Sequence, residues 1–412
     1  MLNILKISSR NLFRYSRRTL LTVSLVVIGV LFVSVFVSVT GSFKSMMVSQ
    51  ITDSMTGHIQ VHRKGYMGAI ETLPLHMNMK PMMVNKFEQI IKDFEEIEAV
   101  SYRIKFGGMF STFSETSNIR LNGIDPDREF KVTPILPDRI SEGSKTLSRG
   151  EIIVPRLFAN SMKVKTGDTV VVIATNSDGS VNGKQLKVSG IVESATGPGG
   201  RDGYVHIDDA AEILRMEEPE ISEIAVRLKD FNKLHSFEKE FTAKVGGFIN
   251  PKGQSVFDVH SWEAISPFAN IVRMIDLMTL FVKILLVAVV MISVLNVMIM
   301  AVYERMREIG TAAAIGTRPI KITMMFLTEG FLLGTIGAAA GSIASVMTVA
   351  AVNASKITFN FGRQEDILLT AAVEYTQLAA VSVTVILVAV LASIQPAFKA
   401  SKMDPIKALR HV

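Results

Sequence analysis

The chain reads as a membrane protein with four transmembrane α-helices and a large extracytoplasmic α+β domain, of two lobes, inserted between helices 1 and 2. Three observations predict this. Of the 412 residues 48% are hydrophobic and mean hydropathy is +0.34, above what soluble domains average. The apolar residues are unevenly spread: 19–41, 284–302, 330–352 and 375–398 carry no charge. Each has about the 20 residues that a helix needs to cross about 30 Å of hydrocarbon. Finally, the basic residues that make the net charge +6 cluster beside these runs.

The elements follow in order. Residues 1–18 put Leu5, Leu12 and Phe13 among Lys6, Arg10, Arg14, Arg17 and Arg18. That pattern fits an amphipathic helix in the inner interface; an ordinary basic flank is the plainer alternative. Transmembrane helix 1 is 19–41. Its apolar run of 23 is too long for a signal-peptide core, so a retained helix is expected. Residues 42–272 form the outer domain. "GHIQVHRKGY" (57–66) alternates like a strand, and "NKFEQIIKDFEEIEAV" (85–100) has a helical period through Phe87, Ile90, Ile91 and Phe94. "VSYRIKFGGMFSTF", "TSNIRLNGID", "GKQLKVSGIVES", "DGYVHID" and "SEIAVRLKD" read as strands, 150–174 as strand, short helix, turn and strand, and 231–245 as a helix. "ATGPGGRDG" (195–203) reads as a surface loop in the inserted lobe.

Transmembrane helix 2, with a stalk, is assigned to 273–302, inside a continuous helix expected from 264 to 308, roughly 65 Å long. Asp276 and Lys283 share one face of it; Lys283 suits snorkelling to the outer interface, an ion site being the alternative. Residues 303–321 link it to helix 3 (322–352), 353–374 form an outer loop, helix 4 is 375–397 and the tail 398–412. Lysine and arginine flank helix 1, fill the 303–321 link and follow helix 4, so both termini and the link are expected in the cytoplasm of a bacterial inner-membrane protein. Clustering beside spans makes nucleic acid a poor partner; the lipid bilayer is the evident one.

Gly330, Gly334, Gly337 and Gly341 fall on one face of helix 3, where small residues let backbones approach. Helix 2, helix 4 and a second subunit are all open as the partner. Glu329, inside the apolar run, can meet the link's basic residues, cap local backbone or bind an ion.

Chemistry is sparse. There is no cysteine, hence no disulfide or thiolate metal site. No G-x-x-x-x-G-K-[ST], H-E-x-x-H or G-x-S-x-G occurs, so no catalytic residue is assigned. His58 and His62 lack ligand partners in sequence and read as surface or interface residues; no metal site is assigned. The chain spans the membrane, carries a large outer domain and has no engine of its own.

"ERMREIGTAAAIGTRPIKITMMFLTEGFLLG" (304–334) resembles the motif of FtsX/MacB-like permeases, the type VII ABC transporter subunits. "QPAFKASKMDPIKALR" (395–410) resembles that family's ending, and "NGIDPD" (122–127), "GEIIVPRLFANSMKVKTGDTV" (150–170) and "VSGIVES" resemble pieces of the MacB-type periplasmic core domain. The resemblance covers essentially the whole chain and is nearest to the lipoprotein-releasing LolC/LolE-type branch, although the N-terminal "LNILKISSRNLFRYSRRTLLT" is more similar to a generic MacB-like start. It implies a permease without ATPase activity, paired with a second copy or paralogue and docked on two copies of a separate ABC ATPase that holds ATP and Mg. It implies mechanotransmission to the outer domain, and release of lipoproteins from the outer leaflet of the inner membrane to a periplasmic carrier. MacB-like export of another amphiphile or peptide, and signalling to a cell-wall hydrolase, stay open, as does an anchored enzyme or sensor.

On this resemblance the ATPase-coupling residues are Glu304, Arg305, Arg307, Glu308, Ile309, Gly310, Gly316 and Pro319. The charges fall on several sides of a short helix, Ala312–Ala314 and Gly316 allow close approach, and Pro319 starts or kinks the next helix. A solvated link held by local ion pairs is the plainer reading. For an outer-leaflet substrate the candidate cavity residues are Val35, Val39 and Phe43 on helix 1 and Met278, Phe281 and Leu285 on helix 2, each of which can equally face lipid.

Overall fold

In the computed structural model, residues 2–193, 202–249, 253, 255–361, 364–368, 370–405 and 408 are described. Most of the loop expected at 195–203 lies outside them. The elements run α1 (Leu2–Arg14), α2 (Ser16–Ile51), β1 (Ile59–Arg63), α3 (Pro81–Ile91), β2 (Ile97–Ser111), β3 (Thr116–Ile124), α4 (Pro126–Val132), β4 (Ile140–Gly143), β5 (Glu151–Pro155), α5 (Arg156–Met162), β6 (Thr169–Thr175) and β7 (Val181–Val192). They continue with β8 (Asp202–His206), α6 (Ile207–Ile213), β9 (Glu223–Leu228), α7 (Leu234–Gly246), β10 (Phe257–Ser261), α8 (Trp262–Ile265), α9 (Phe268–Glu304), α10 (Met306–Ala314), α11 (Pro319–Ala354), β11 (Thr358–Phe361), β12 (Gln364–Leu368) and α12 (Tyr375–Ser401). The chain divides into a membrane unit (Met1–Ser45, Val272–Phe359, Asp366–Val412) and an outer unit (Met46–Ile271, Asn360–Glu365).

Among the described residues, four helices are long and apolar enough to cross a membrane, and the large α/β domain lies between the first and second. They pack through stripes spaced three or four residues apart: Val26, Val30, Val33 and Val37 on α2, Leu286, Val290, Val294 and Met298 on α9, Val381, Val385 and Val388 on α12. That spacing places each set on one helix face. The helix expected over 264–308 is shorter at both ends. Pro267 holds Ser266 extended at φ −96°, ψ 128°, so α9 starts at Phe268, and Arg305 leaves helical geometry at φ −107°, ψ 16°. Asp276 does not look along α9 towards Lys283. Both of its oxygens accept from Lys44 Nζ of α2, at 2.7 and 2.8 Å. The 353–374 stretch contains the strand pair β11–β12, and the Asn353 side chain both donates to and accepts from the Ala371 backbone.

The outer unit is built on one ten-stranded sheet, ordered β10-β1-β9-β2-β3-β8-β5-β7-β4, with β6 pairing β2 and β7. The two lobes are therefore not separate bodies. The 15-residue β2 pairs with β9 through Arg103 and with β3 from Ile104 onward, so it belongs to both. Everything from β3 to β8 is inserted between β2 and β9. The helix expected over 85–100 stops at Ile91, because Ile97–Arg103 pairs with β9 instead. Phe87 and Phe94 still enter the core, meeting Phe241 of α7 edge-on at 6.1 and 5.2 Å.

Candidate functional site

The Tyr303–Lys321 link folds as the end of α9, a break at Arg305, the nine-residue α10, a tight turn and the start of α11. The turn has a definite cause. Gly316 takes φ +89°, its N–H reaches Ala313 O at 3.0 Å, and Thr317 N–H reaches Ala312 O at 3.0 Å. This pair of bonds is the Schellman C-cap, which a left-handed glycine supplies without steric cost. Pro319 then opens α11 at its first turn, where no intrahelical N–H is needed. Gly316 and Pro319 therefore shape the turn.

Several of the candidate coupling residues are buried. Arg305 is 4% exposed. Its Nη1 donates to Glu329 Oε1 at 2.7 Å, Nε faces Glu308 Oε2 at 3.4 Å, and the guanidinium lies 5.4 Å from the Phe326 ring. Ile309 is buried in the helix bundle, and a Cβ on Gly310 would stand 2.7 Å from Ala408 Cβ, so α10 packs against the C-terminal segment. Within this chain Arg305, Ile309 and Gly310 therefore face the bundle. Bundle contacts occupy all three, and a buried cation is stable only when paired. Glu304 pairs with Arg18, and Glu308 with Arg14 at 3.2 Å. Arg307 is exposed. What the segment turns outward is Ile315, 80% exposed, and Ile320, 58% exposed, together with Arg318 and Lys321.

Helix α1 completes this end of the bundle, and sequence reasoning did not find its role. Ser8 Oγ donates to Met325 O at 3.1 Å, Asn11 Nδ2 donates to Glu329 Oε1 at 2.9 Å, and Leu12 is buried. So α1 packs on α11 through Ser8, Asn11 and Leu12, while Leu5, Lys6, Ile7 and Arg10 stay exposed. The available signal was a polar strip, Ser8 and Asn11, three apart on the face that also carries Leu12. Lys399 Nζ, near the end of α12, donates to the Tyr303 hydroxyl at 3.1 Å.

The four glycines divide between two neighbours. A Cβ on Gly330 or Gly334 would strike Ser393 or Ala389 of α12; on Gly337 or Gly341 it would strike Val26 or Val30 of α2. Helix 1 had not been weighed as a partner for this face. The six cavity candidates lie on two helices. Met278, Phe281 and Leu285 share an open face of α9 and are 56%, 68% and 53% exposed, while Val35, Val39 and Phe43 are half-buried on α2.

The outer unit holds a second buried charge cluster where β2 passes from β9 to β3. Arg103 Nη2 and Nε bind Glu129 at 2.5 and 2.9 Å, and Nη1 binds Glu223 at 2.5 Å. Lys105 Nζ lies 2.7 Å from Glu223 Oε2 and His62 Nε2 lies 3.5 Å from it. Burial opposes the charge on Glu223, but Lys105, Arg103 and His62 hold its carboxyl well below the usual range. His58 and His62 are 4% and 0% exposed, so the surface reading of both is corrected. His58 Nδ1 accepts from Leu228 N–H at 3.0 Å. No group of three or more metal-ligating side chains occurs among the described residues.

The base of α2 is anchored in the same unit. Met47, Val48 and Ile51 are buried, Asp53 pairs with Arg227 at 2.5 Å and accepts Ile135 N–H on its carbonyl at 2.9 Å, and Ser54 accepts from Arg139 at 2.8 Å.

Comparison with known proteins gives two family matches: the MacB-like periplasmic core domain over residues 19–244 and the FtsX-like permease C-terminal region over 280–405. The lipoprotein-releasing system transmembrane protein LolC of Xylella fastidiosa (strain 9a5c) is 23% identical over 314 residues, 71% of this chain and 72% of LolC. The macrolide export ATP-binding/permease protein MacB of Nitrobacter winogradskyi is 24% identical over 410 residues, 95% of this chain but 58% of MacB. Among solved structures, the periplasmic region of MacB from Actinobacillus actinomycetemcomitans aligns at 14% identity and TM-score 0.36, covering 52% of this chain and 93% of that one.

Proposed function

Because the chain belongs to the FtsX/MacB-like family of ABC transporter permeases, we propose that it is a mechanotransmission subunit releasing lipoproteins from the outer leaflet of the bacterial inner membrane. In this reading both termini and α10 face the cytoplasm, two copies of a separate ABC ATPase bind there, and a second permease copy or paralogue completes the complex. ATP and Mg stay in the ATPase, and a periplasmic carrier takes the cargo.

The observation that carries the coupling role is the outward face of the α10–α11 turn. Ile315 and Ile320 are large apolar side chains left 80% and 58% exposed beside Arg318 and Lys321, on a turn whose shape is set by the Gly316 cap. Exposed apolar residues with a cationic rim on a rigid support suit a protein contact. Two features support transmission. Arg305 pins the root of α10 into the bundle, and α2 is one helix of 36 residues, with the Asp53–Arg227 pair in the turn just beyond its last residue. The lipoprotein assignment is supported by the LolC relative, aligned over most of both chains. The MacB relative favours a second reading, export of another amphiphile or peptide.

The test is purification of the tagged chain from native membranes. An ABC ATPase is expected to co-purify with the parent chain and to be lost from the double variant Ile315→Glu, Ile320→Glu. Equal ATPase recovery with both chains would rule out this face as the docking site. Acylated lipoprotein crosslinked from Met278 or Phe281 supports the cargo; a crosslinked peptide or other amphiphile would replace it.

A further inference from the structure

Glu329 is shared by three helices. Its Oε1 accepts from Arg305 Nη1 at 2.7 Å and from Asn11 Nδ2 at 2.9 Å, while Glu329 itself stands on α11 and is 2% exposed. Arg305 is the break between α9 and α10, and its backbone has left helical geometry there. A residue at a helix break absorbs changes of direction most readily. Its side chain fixes that direction by reaching into a buried carboxylate. Around it, Arg14 of α1 pairs with Glu308 of α10, and Ser8 of α1 donates to the Met325 carbonyl of α11. Helix α1 is in turn bonded across its break to α2: Tyr15 N–H reaches Asn11 O at 3.3 Å, Thr19 N–H reaches Tyr15 O at 3.1 Å, and Thr19 Oγ1 reaches Leu12 O at 2.9 Å.

We propose that Glu329 is a force-distributing junction. Through Arg305 it receives displacement of α10, and through Asn11 it passes that displacement to α1, so the first span moves with the third and not only the second. This rests on the reading that α10 is where the ATPase acts. Asn11, Arg305 and Glu329 are then positioning residues. They touch neither nucleotide nor cargo, and their work is to keep α1, α10 and α11 in one fixed arrangement. Physically, a buried carboxylate bound to a guanidinium is costly to separate, because each partner would be left unpaired away from water. An amide bonded to the same oxygen shares that constraint. The junction thus favours one arrangement of three helix ends and resists independent motion of any of them.

The chain has no cysteine, so introduced thiols are its only labelling sites. Spin labels at Arg10→Cys and Ala314→Cys, both exposed positions, report α1 against α10. Labels at Ala314→Cys and Met324→Cys report α10 against α11. Measurements use the full chain in lipid nanodiscs, spin-diluted with unlabelled chain. The parent is expected to give one narrow α1–α10 distance distribution. Asn11→Leu, which leaves the Arg305–Glu329 pair intact, is expected to broaden it without changing the α10–α11 distribution. Asn11→Gln, which keeps an amide donor, restores the narrow distribution. Glu329→Gln broadens both. With the co-purified ATPase trapped in its ATP-bound state, the parent shifts both distances, and Asn11→Leu loses the shift at α1 only. An unchanged α1–α10 distribution in Asn11→Leu, or an undiminished ATP-driven shift at α1, would overturn the junction. Failure of the parent to bind any ATPase would sink the functional reading, while the nucleotide-free distributions would still decide the junction.

Discussion

Gly337→Ala adds a single methyl group at a place where the structure leaves no room for it. The new Cβ would lie 2.5 Å from Val26 Cγ1 and 2.8 Å from Val26 Cβ. Nonbonded carbons rest at about 3.5–4.0 Å, so the helices are about 1 Å too close for alanine. A rotamer change moves Cγ1 but not Cβ, which is fixed to the α2 backbone; the strain therefore falls on helix separation. Overpacking of this kind costs about 1–3 kcal/mol, or roughly 5- to 150-fold in the folded-to-unfolded ratio. The assay is unfolding in mixed detergent micelles, followed by helicity, on a double-mutant cycle with Val26. Val26→Ala removes both γ-methyl groups, and with them the Cγ1 clash, but leaves Cβ, so it should relieve part of the cost. Val26→Gly removes both contacts, so Gly337→Ala should cost at least about 1 kcal/mol less in that background than in the parent. A Gly337→Ala chain as stable as the parent, or equal costs in all three backgrounds, would refute close α2–α11 packing.

Three further outcomes are expected. The folded-state pKa of Glu223 is depressed, so its contribution to stability is complete above the unfolded carboxyl value of 4.5 and is lost as pH falls through 4.5 towards the folded value. Emission of Trp262, the chain's one tryptophan, which is 2% exposed, should report acid unfolding of the outer domain. Glu223→Gln should lower stability at neutral pH by about 3–5 kcal/mol and flatten this acid dependence, and a variant with the parent's acid profile would contradict the assignment. Exchanging Lys44 and Asp276 in the double variant Lys44→Asp, Asp276→Lys should change stability by less than about 1 kcal/mol, since the pair is substantially exposed; a large loss in the same micelle assay would show stronger coupling of α2 to α9. Gly316→Ala should cost about 1–2 kcal/mol, because alanine at φ +89° strains the cap, and an unaffected melting temperature would place the turn's rigidity elsewhere.

Much of the architecture was legible because its signals are local. Charge-free runs of span length stand out by themselves, and Gly-Thr-Arg-Pro after Ala312–Ala314 announces a helix end and restart. What was missed depends on long-range pairing. The run 85–100 carries a helical period, but from Ile97, which pairs with Leu228, the chain has a distant strand partner in β9, and that pairing wins. Arg103 looks like any charge in an alternating strand until Glu129 and Glu223 close on it from α4 and β9. In the Tyr303–Lys321 link, the arginines and glutamates are visible in sequence, but which of them turn inward is not. Arg305 and Arg307 are two residues apart and differ in burial because only Arg305 faces Glu329. The part played by Asn11 was beyond reach for the same reason, since its partner lies 318 residues away.

In the proposed mechanism, ATP-driven movement inside reaches the outer domain through this chain. Hydrogen–deuterium exchange of the intact complex with its ATPase, with and without trapped ATP, tests it directly. Trapping ATP is expected to alter exchange both in α10 and over residues 46–56, the end of α2 and the turn after it, where Asp53 and Ser54 are held. Exchange that changes in α10 while the whole of 46–271 stays the same would contradict it.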